Sequence, residues 1–176
     1  MAPHIRRATN DDAEILSALL ADYLRESYPD HRGSTPAQLR RDVLIEPQRH
    51  HVLVVEIRRQ MAGFVAWDRV YDMHWASSGA QVADLYVAPE YRGLGVALML
   101  IAQMAVDVLA HGGVFLRGGA YDRASTRRLY ARAAVVLPSG ETYLAGRALR
   151  HLAQFAGRPA RDIVRNLPPV AWNYDA

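Results

Sequence analysis

The stretch Tyr86–Leu100, YVAPEYRGLGVALML, constrains this chain more than any other. An apolar, strand-like run ends at Pro89, which has no N–H to offer a sheet ladder. A charged corner follows, then Gly93 and Gly95, then an apolar run with helical spacing. A strand, a glycine corner and a helix in direct succession satisfy that order. The helix opens with unpaired N–H groups and a positive dipole end, and the glycines leave the corner's backbone unshielded. Together these features form an anion site suited to a phosphate.

Three glycine patterns compete for the corner. A P-loop needs Lys-Ser/Thr after its last glycine, but Val96-Ala97 stand there, and all 21 basic residues of the chain are arginine. The dinucleotide fingerprint needs a third small residue where Leu98 stands. The pattern Arg/Gln-x-x-Gly-x-Gly/Ala is filled by Arg92, Gly95 and Ala97.

The surrounding sequence reads as a mixed α/β domain. His4–Thr9 is a short strand, and Thr9, Asn10 or Asp11 caps a helix carrying Ile15, Leu16, Leu19, Leu20, Tyr23 and Leu24 at helical spacing. Thr35 and Pro36 open a second helix to Ile45. His50–Ile57 and Met61–Val70 form a hairpin around Arg58-Arg59-Gln60. Tyr71–Ala80 reads as a connector and Gln81–Val87 as the next strand. The helix after the glycines carries Leu94, Leu98, Ile101, Ala105 and Val108 on one stripe and ends near His111-Gly112-Gly113. A strand (Val114–Ala120), a helix (Arg123–Ala133), a strand (Glu141–Gly146) and two short amphipathic helices complete the order.

At 176 residues, 51% of them apolar, the chain suits one domain with a sizeable core, about residues 4–146, plus a helical tail over 147–176. With no cysteine, disulfides, thiolate metal sites and a cysteine nucleophile are excluded. No apolar run approaches the roughly 20 residues of a membrane span, and the opening stretch lacks a signal peptide's apolar core. The expectation is a cytoplasmic protein with no membrane partner. His50, His51 and His74 have no metal-ligand spacing, so no metal is expected. The tail's Arg147, Arg150, Arg158, Arg161 and Arg165 read as a solvated helical face rather than a nucleic-acid surface.

Arg92-x-x-Gly95-x-Ala97, with the strand before it and the helix after it, resembles motif A of the GNAT superfamily, the Gcn5-related N-acetyltransferases. The order of elements over roughly residues 4–146 also agrees. The resemblance implies an α/β fold with a mixed, strongly curved sheet flanked by helices and splayed between its fourth and fifth strands. It implies acetyl-CoA as cofactor, with pantetheine on the backbone of Leu85, Tyr86 and Val87 and pyrophosphate on the amides of Arg92, Gly93, Leu94, Gly95, Val96 and Ala97. Family members are often homodimers.

Acetyl transfer to an amine needs a base, an acid and an acceptor pocket. Leu129-Tyr130 resemble the family's later motif, which makes Tyr130 the expected acid. A phenol of pKa about 10 can protonate a thiolate whose acid has pKa near 8.5. Arg123 stands where the family has asparagine, on the same helical face as Tyr130, and could meet a CoA phosphate; Ala134-Val135 replace the family's Gly-Phe. Asp84, a carboxylate inside a strand and on the face of Tyr86, is the expected base. Tyr28, Asp72, His74 and Trp75 are the expected acceptor-binding residues, since carboxylates among aromatics suit a cationic amine. That connector resembles the diamine and polyamine acetyltransferase branch. A small-molecule amine is the leading acceptor. Acetylation of aminoacyl-tRNA or protein amines, and a non-catalytic acyl-CoA-binding module, are the alternatives.

Overall fold

The computed structural model describes residues 3–45, 50–119, 135–136 and 141–166. Its elements run β1 (His4–Arg7), α1 (Ala13–Ser27), α2 (Pro36–Gln38), β2 (His51–Ile57), β3 (Gln60–Asp72), β4 (Ser77–Val87), α3 (Val96–Ala110), β5 (Phe115–Gly119), β6 (Val135–Val136), β7 (Glu141–Ala145), α4 (Gly146–Gln154) and α5 (Ala160–Asn166). The strands form one seven-stranded sheet in the order β1-β2-β3-β4-β5-β7-β6. The β4–β5 pair is parallel and the other described pairs are antiparallel, so the sheet is mixed as expected.

Local chemistry explains the element ends. Thr9 caps a 3-10 turn over Asn10–Asp12 through a capping box with Asp12, and α1 continues from it. Thr35 and Gln38 form a second capping box with Pro36 at the first helical position. That helix then widens into a π-turn at Leu39–Val43, which the sequence pattern does not reveal. The β2–β3 hairpin closes through Arg58-Arg59, both at positive φ (53° and 65°), with Ile57 paired to Gln60.

Two expectations are corrected. The connector Tyr71–Ala80 is mostly strand, because β3 extends to Asp72 and β4 begins at Ser77, leaving a turn of four residues. Leu94 lies in the corner before α3 and is 62% exposed, so the α3 stripe begins at Val96.

Two apolar layers sandwich the sheet. On one face, α3, α4 and α5 bury Leu98, Met99, Ile101, Leu149, Leu152 and Ile163 against Val55, Val65 and Leu116. On the other, α1 and the π-turn after α2 bury Leu16, Leu19, Tyr23 and Leu39 against Val52, Val54, Phe64 and Tyr86. Strand alternation sends Leu85 and Val87 to the α3 face and Tyr86 to the α1 face.

Candidate active site

A V-shaped opening in the sheet frames the site. β4 pairs with β5 only at Ala80–Leu116 and Gln81–Arg117, then runs on to Val87 without it. A β-bulge starts the divergence: Ala66 faces Asp84 and Trp67 faces Val82, which leaves Ala83 as an extra residue in β4. A bulge bends and twists its strand, and this one turns Ala83–Val87 away from β5. Among the described residues, the side of β4 facing the opening carries backbone groups with no strand partner, an edge that an extended amide-bearing chain can pair with. Arg117 pins the base of the V. It donates to Gln81 Oε1 at 2.7 Å, to Asp72 Oδ2 at 3.2 Å and to Tyr143 Oη at 3.4 Å.

The glycine corner caps the open end. Gly93 and Gly95 have φ of +78° and +77°, a conformation that costs L side chains energy. The first helical bond of α3 runs from Met99 N–H to Gly95 O at 3.2 Å. The amides of Gly95, Val96, Ala97 and Leu98 therefore have no intrahelical acceptor. A Cβ on Gly93 would meet nothing within 4 Å, so the corner is open on that side. These free amides, the positive end of α3 and the strand edge fit a pyrophosphate followed by an amide-bearing arm, which is the chemistry of coenzyme A.

The Arg92 side chain is taken up by protein partners. Its Nε donates to Val87 O at 2.8 Å and its Nη2 donates to both oxygens of Glu26 at 2.9 Å. Its guanidinium carbon lies 5.4 Å from the Tyr86 ring centroid, and its amide donates to Pro89 O at 3.2 Å. The side chain thus ties the corner to β4 and to α1. Glu26, which sequence reading does not single out, is the partner that fixes it. Tyr86 Oη also donates to Glu26, at 3.1 Å, and burial foremost, then that carboxylate, pushes the phenol's pKa up.

Asp84 stands one residue past the bulge, on the α1 face with Tyr86. It is half-buried and makes no hydrogen bond among the described residues. Burial raises its carboxyl above the ordinary range, and the charge of nearby His50 draws it partly back. His50 Nδ1 is in turn 2.7 Å from Asp68 Oδ1. Tyr28 joins this face through an edge contact with Tyr23 at 6.0 Å, and Tyr23 lies 5.7 Å from Tyr86.

The other expected acceptor residues sit elsewhere. Asp72 ends β3 and His74 and Trp75 occupy the turn before β4, whereas Leu85–Val87 are at the far end of β4. Ser77 and Leu85 are eight strand steps apart, a span of roughly 26 Å at about 3.3 Å per step. Asp72 is 7% exposed, accepts from the amides of His74 (2.9 Å) and Trp75 (3.3 Å), and holds Arg117. Trp75 packs against Tyr143 and Phe115, with centroids 4.6 and 6.0 Å away. His74 projects into solvent. Tyr130 and Arg123 lie outside the described residues. Among the described residues no cluster of three metal-ligating side chains occurs, and no helix is long and apolar enough to cross a membrane.

Comparison with known proteins agrees with this geometry. The model of the acetyltransferase (GNAT) family matches residues 14–134. No curated protein matches the chain. Among solved structures, ribosomal-protein-alanine N-acetyltransferase from Brucella melitensis biovar Abortus 2308 superposes with a TM-score of 0.62 at 23% identity, covering 78% of this chain and 94% of that one. PaiA N-acetyltransferase from Thermoplasma acidophilum, in complex with coenzyme A, gives 0.63 at 14% identity over 82% and 98%. An aminoglycoside acetyltransferase from an uncultured soil metagenomic sample gives 0.59 at 22% identity over 74% and 89%.

Proposed function

The chain belongs to the GNAT acetyltransferase family, and on that premise we propose that it transfers the acetyl group of acetyl-CoA to the primary amine of a small molecule. The observation that carries this reading is the opening between β4 and β5, whose unpaired strand edge ends in the free amides of α3. Bound there, acetyl-CoA supplies a thioester-activated acetyl group. The amides from Gly93 to Ala97 hold its pyrophosphate, and the backbone of Leu85, Tyr86 and Val87 aligns its pantetheine arm. Arg92 acts through the corner it braces against Val87 and Glu26.

Asp84 is the general base of the proposal. A carboxylate whose pKa is raised by burial and which has no fixed hydrogen-bond partner is suited to accept a proton from an ammonium group. The Tyr23–Tyr28 side of α1 offers aromatic surface to the amine-bearing molecule on the same face. Tyr130, through its phenol proton, is the acid of the same proposal, and Arg123 an added phosphate contact. The Asp72–Trp75 turn contributes by holding the base of the V.

The test is thiol release from acetyl-CoA in the presence of polyamines, aminoglycosides and amino acids, with Asp84→Asn alongside. The expected result is turnover with at least one amine, reduced at least about 100-fold in Asp84→Asn with acetyl-CoA affinity kept. Tight coenzyme binding without turnover of any amine would replace the enzyme with a binding module.

A further inference from the structure

A second cavity, of about 220 Å³, lies at the far end of α3 from the glycine corner, lined in part by Arg7, His51, Trp67, Arg69, Asp107 and His111. α3 has 15 residues, so at about 1.5 Å of rise each roughly 22 Å separates the two ends. Strand geometry builds the cavity. Trp67 and Arg69 alternate onto the α3 face of β3, and His51 sits directly across from Trp67 in register. The imidazole stacks on the indole at 5.4 Å between centroids, with planes 25° apart. The last turn of α3 closes the other side.

The charges there are unbalanced. Arg7 is paired with Asp107 at 2.9 Å. Arg69 is exposed and has no hydrogen bond or ion pair among the described residues, so one positive charge is left over. The helix end adds little negative potential, since Val108 O accepts from the amides of His111 and Gly113, and Leu109 O from Gly112. His51 is 8% exposed, yet its Nδ1 is sealed from solvent without a hydrogen bond. Buried polar groups are nearly always bonded, and an exception calls for an explanation. Burial, with Arg69 and Arg7 nearby, holds that imidazole neutral by lowering its pKa.

We propose that this cavity is a second ligand site, separate from the acetyl-transfer cleft, for a small organic monoanion whose carboxylate meets Arg69 and whose flat apolar body lies along the His51–Trp67 wall. One guanidinium without an ion pair among the described residues matches a single negative charge. Asp107 disfavours a dianion such as phosphate, and Tyr71, on the same face of β3 as Arg69, and Val108 extend the apolar wall.

Calorimetric titration of the full chain with benzoate tests the site, with benzamide as the uncharged analogue and inorganic phosphate as the non-carboxylate anion. Saturable benzoate binding is expected, at least about tenfold tighter than either comparison probe. Arg69→Gln, at an exposed position, is expected to weaken it by at least about tenfold while acetyl-CoA turnover and melting temperature stay unchanged. His51→Phe keeps the ring stacked on Trp67, and with it the apolar wall, and is expected to bind benzoate as the parent chain does without unfolding the protein. The proposal is overturned if benzoate does not saturate, if Arg69→Gln binds it as well as the parent chain, or if phosphate binds at least as tightly.

Discussion

Asp84 and Arg92 show how two charged side chains of similar prominence in the sequence come to opposite uses. Arg92 is committed on every side, to Val87 O, Glu26 and the Tyr86 ring. Asp84 has no hydrogen bond among the described residues and a carboxyl pushed up by burial. An unsatisfied, half-buried acid lowers stability when ionised, a cost that the proposed role as base would account for. The sign is definite. The folded protein holds this proton more tightly than the unfolded chain does, which favours folding at low pH. That contribution is lost as pH rises from the ordinary aspartate value, 3.8, through the raised folded value. Asp84→Asn has no charge to bury. Its melting temperature is therefore expected to match the parent chain's below pH 3.8 and to exceed it at pH 7, while its acetyl transfer falls. An Asn variant less stable than the parent at pH 7 would instead give Asp84 a structural role. The alternation of apolar residues around Asp84 made its face legible from sequence. Arg92's partners were not, because Glu26 lies 66 residues away and nothing in its own helix marks it.

At the scale of elements, the strand–corner–helix unit was readable because each junction has a local cause: proline ends the strand, glycines turn the corner and apolar periodicity sets the helix. The long β3–β4 hairpin was hidden. Polar and aromatic residues at Tyr71–Ala80 look like loop until Arg117, Phe115 and Tyr143 supply long-range partners for Asp72 and Trp75. The same dependence on distant partners placed Asp72 and Trp75 under the sheet opening rather than in it. The bulge at Ala83 had no signature either, since it exists only relative to the register of β3. The β2–β3 turn offers an independent check on backbone physics. Arg58 and Arg59 both sit at positive φ in a two-residue hairpin loop, a geometry that favours an asparagine followed by a glycine. The double substitution Arg58→Asn with Arg59→Gly is expected to raise unfolding free energy by about 1 kcal/mol in urea titration and to leave acetyl transfer unchanged. A loss of stability would mean that the arginine side chains contribute more than their backbone strain removes.

On the scale of the whole molecule, the helical tail proves to be part of the architecture that presents the cleft. Reading the sequence placed both tail helices correctly but set them apart from the core. In the structure, Leu149, Leu152 and Ile163 are each at most 1% exposed and share one apolar cluster with α3. The tail also touches the corner. A Cβ built on Gly95 would overlap Ala160 Cβ, so this glycine answers two demands at once, a positive φ and the close approach of α5. Folding of the tail and shaping of the glycine corner meet at this contact. Ile163→Ala is expected to destabilise the protein by about 2–4 kcal/mol through the cavity it leaves. Ala160→Leu probes the other end of the same helix, because its larger side chain must press on Gly95 or lift α5. That variant is expected to raise the KM for acetyl-CoA several-fold with a smaller effect on kcat, since the proposed function gives the amides it displaces the pyrophosphate rather than the reacting atoms. If KM for acetyl-CoA is the same in Ala160→Leu as in the parent chain, the tail stabilises α3 without shaping the corner, and the contact at Gly95 is packing alone.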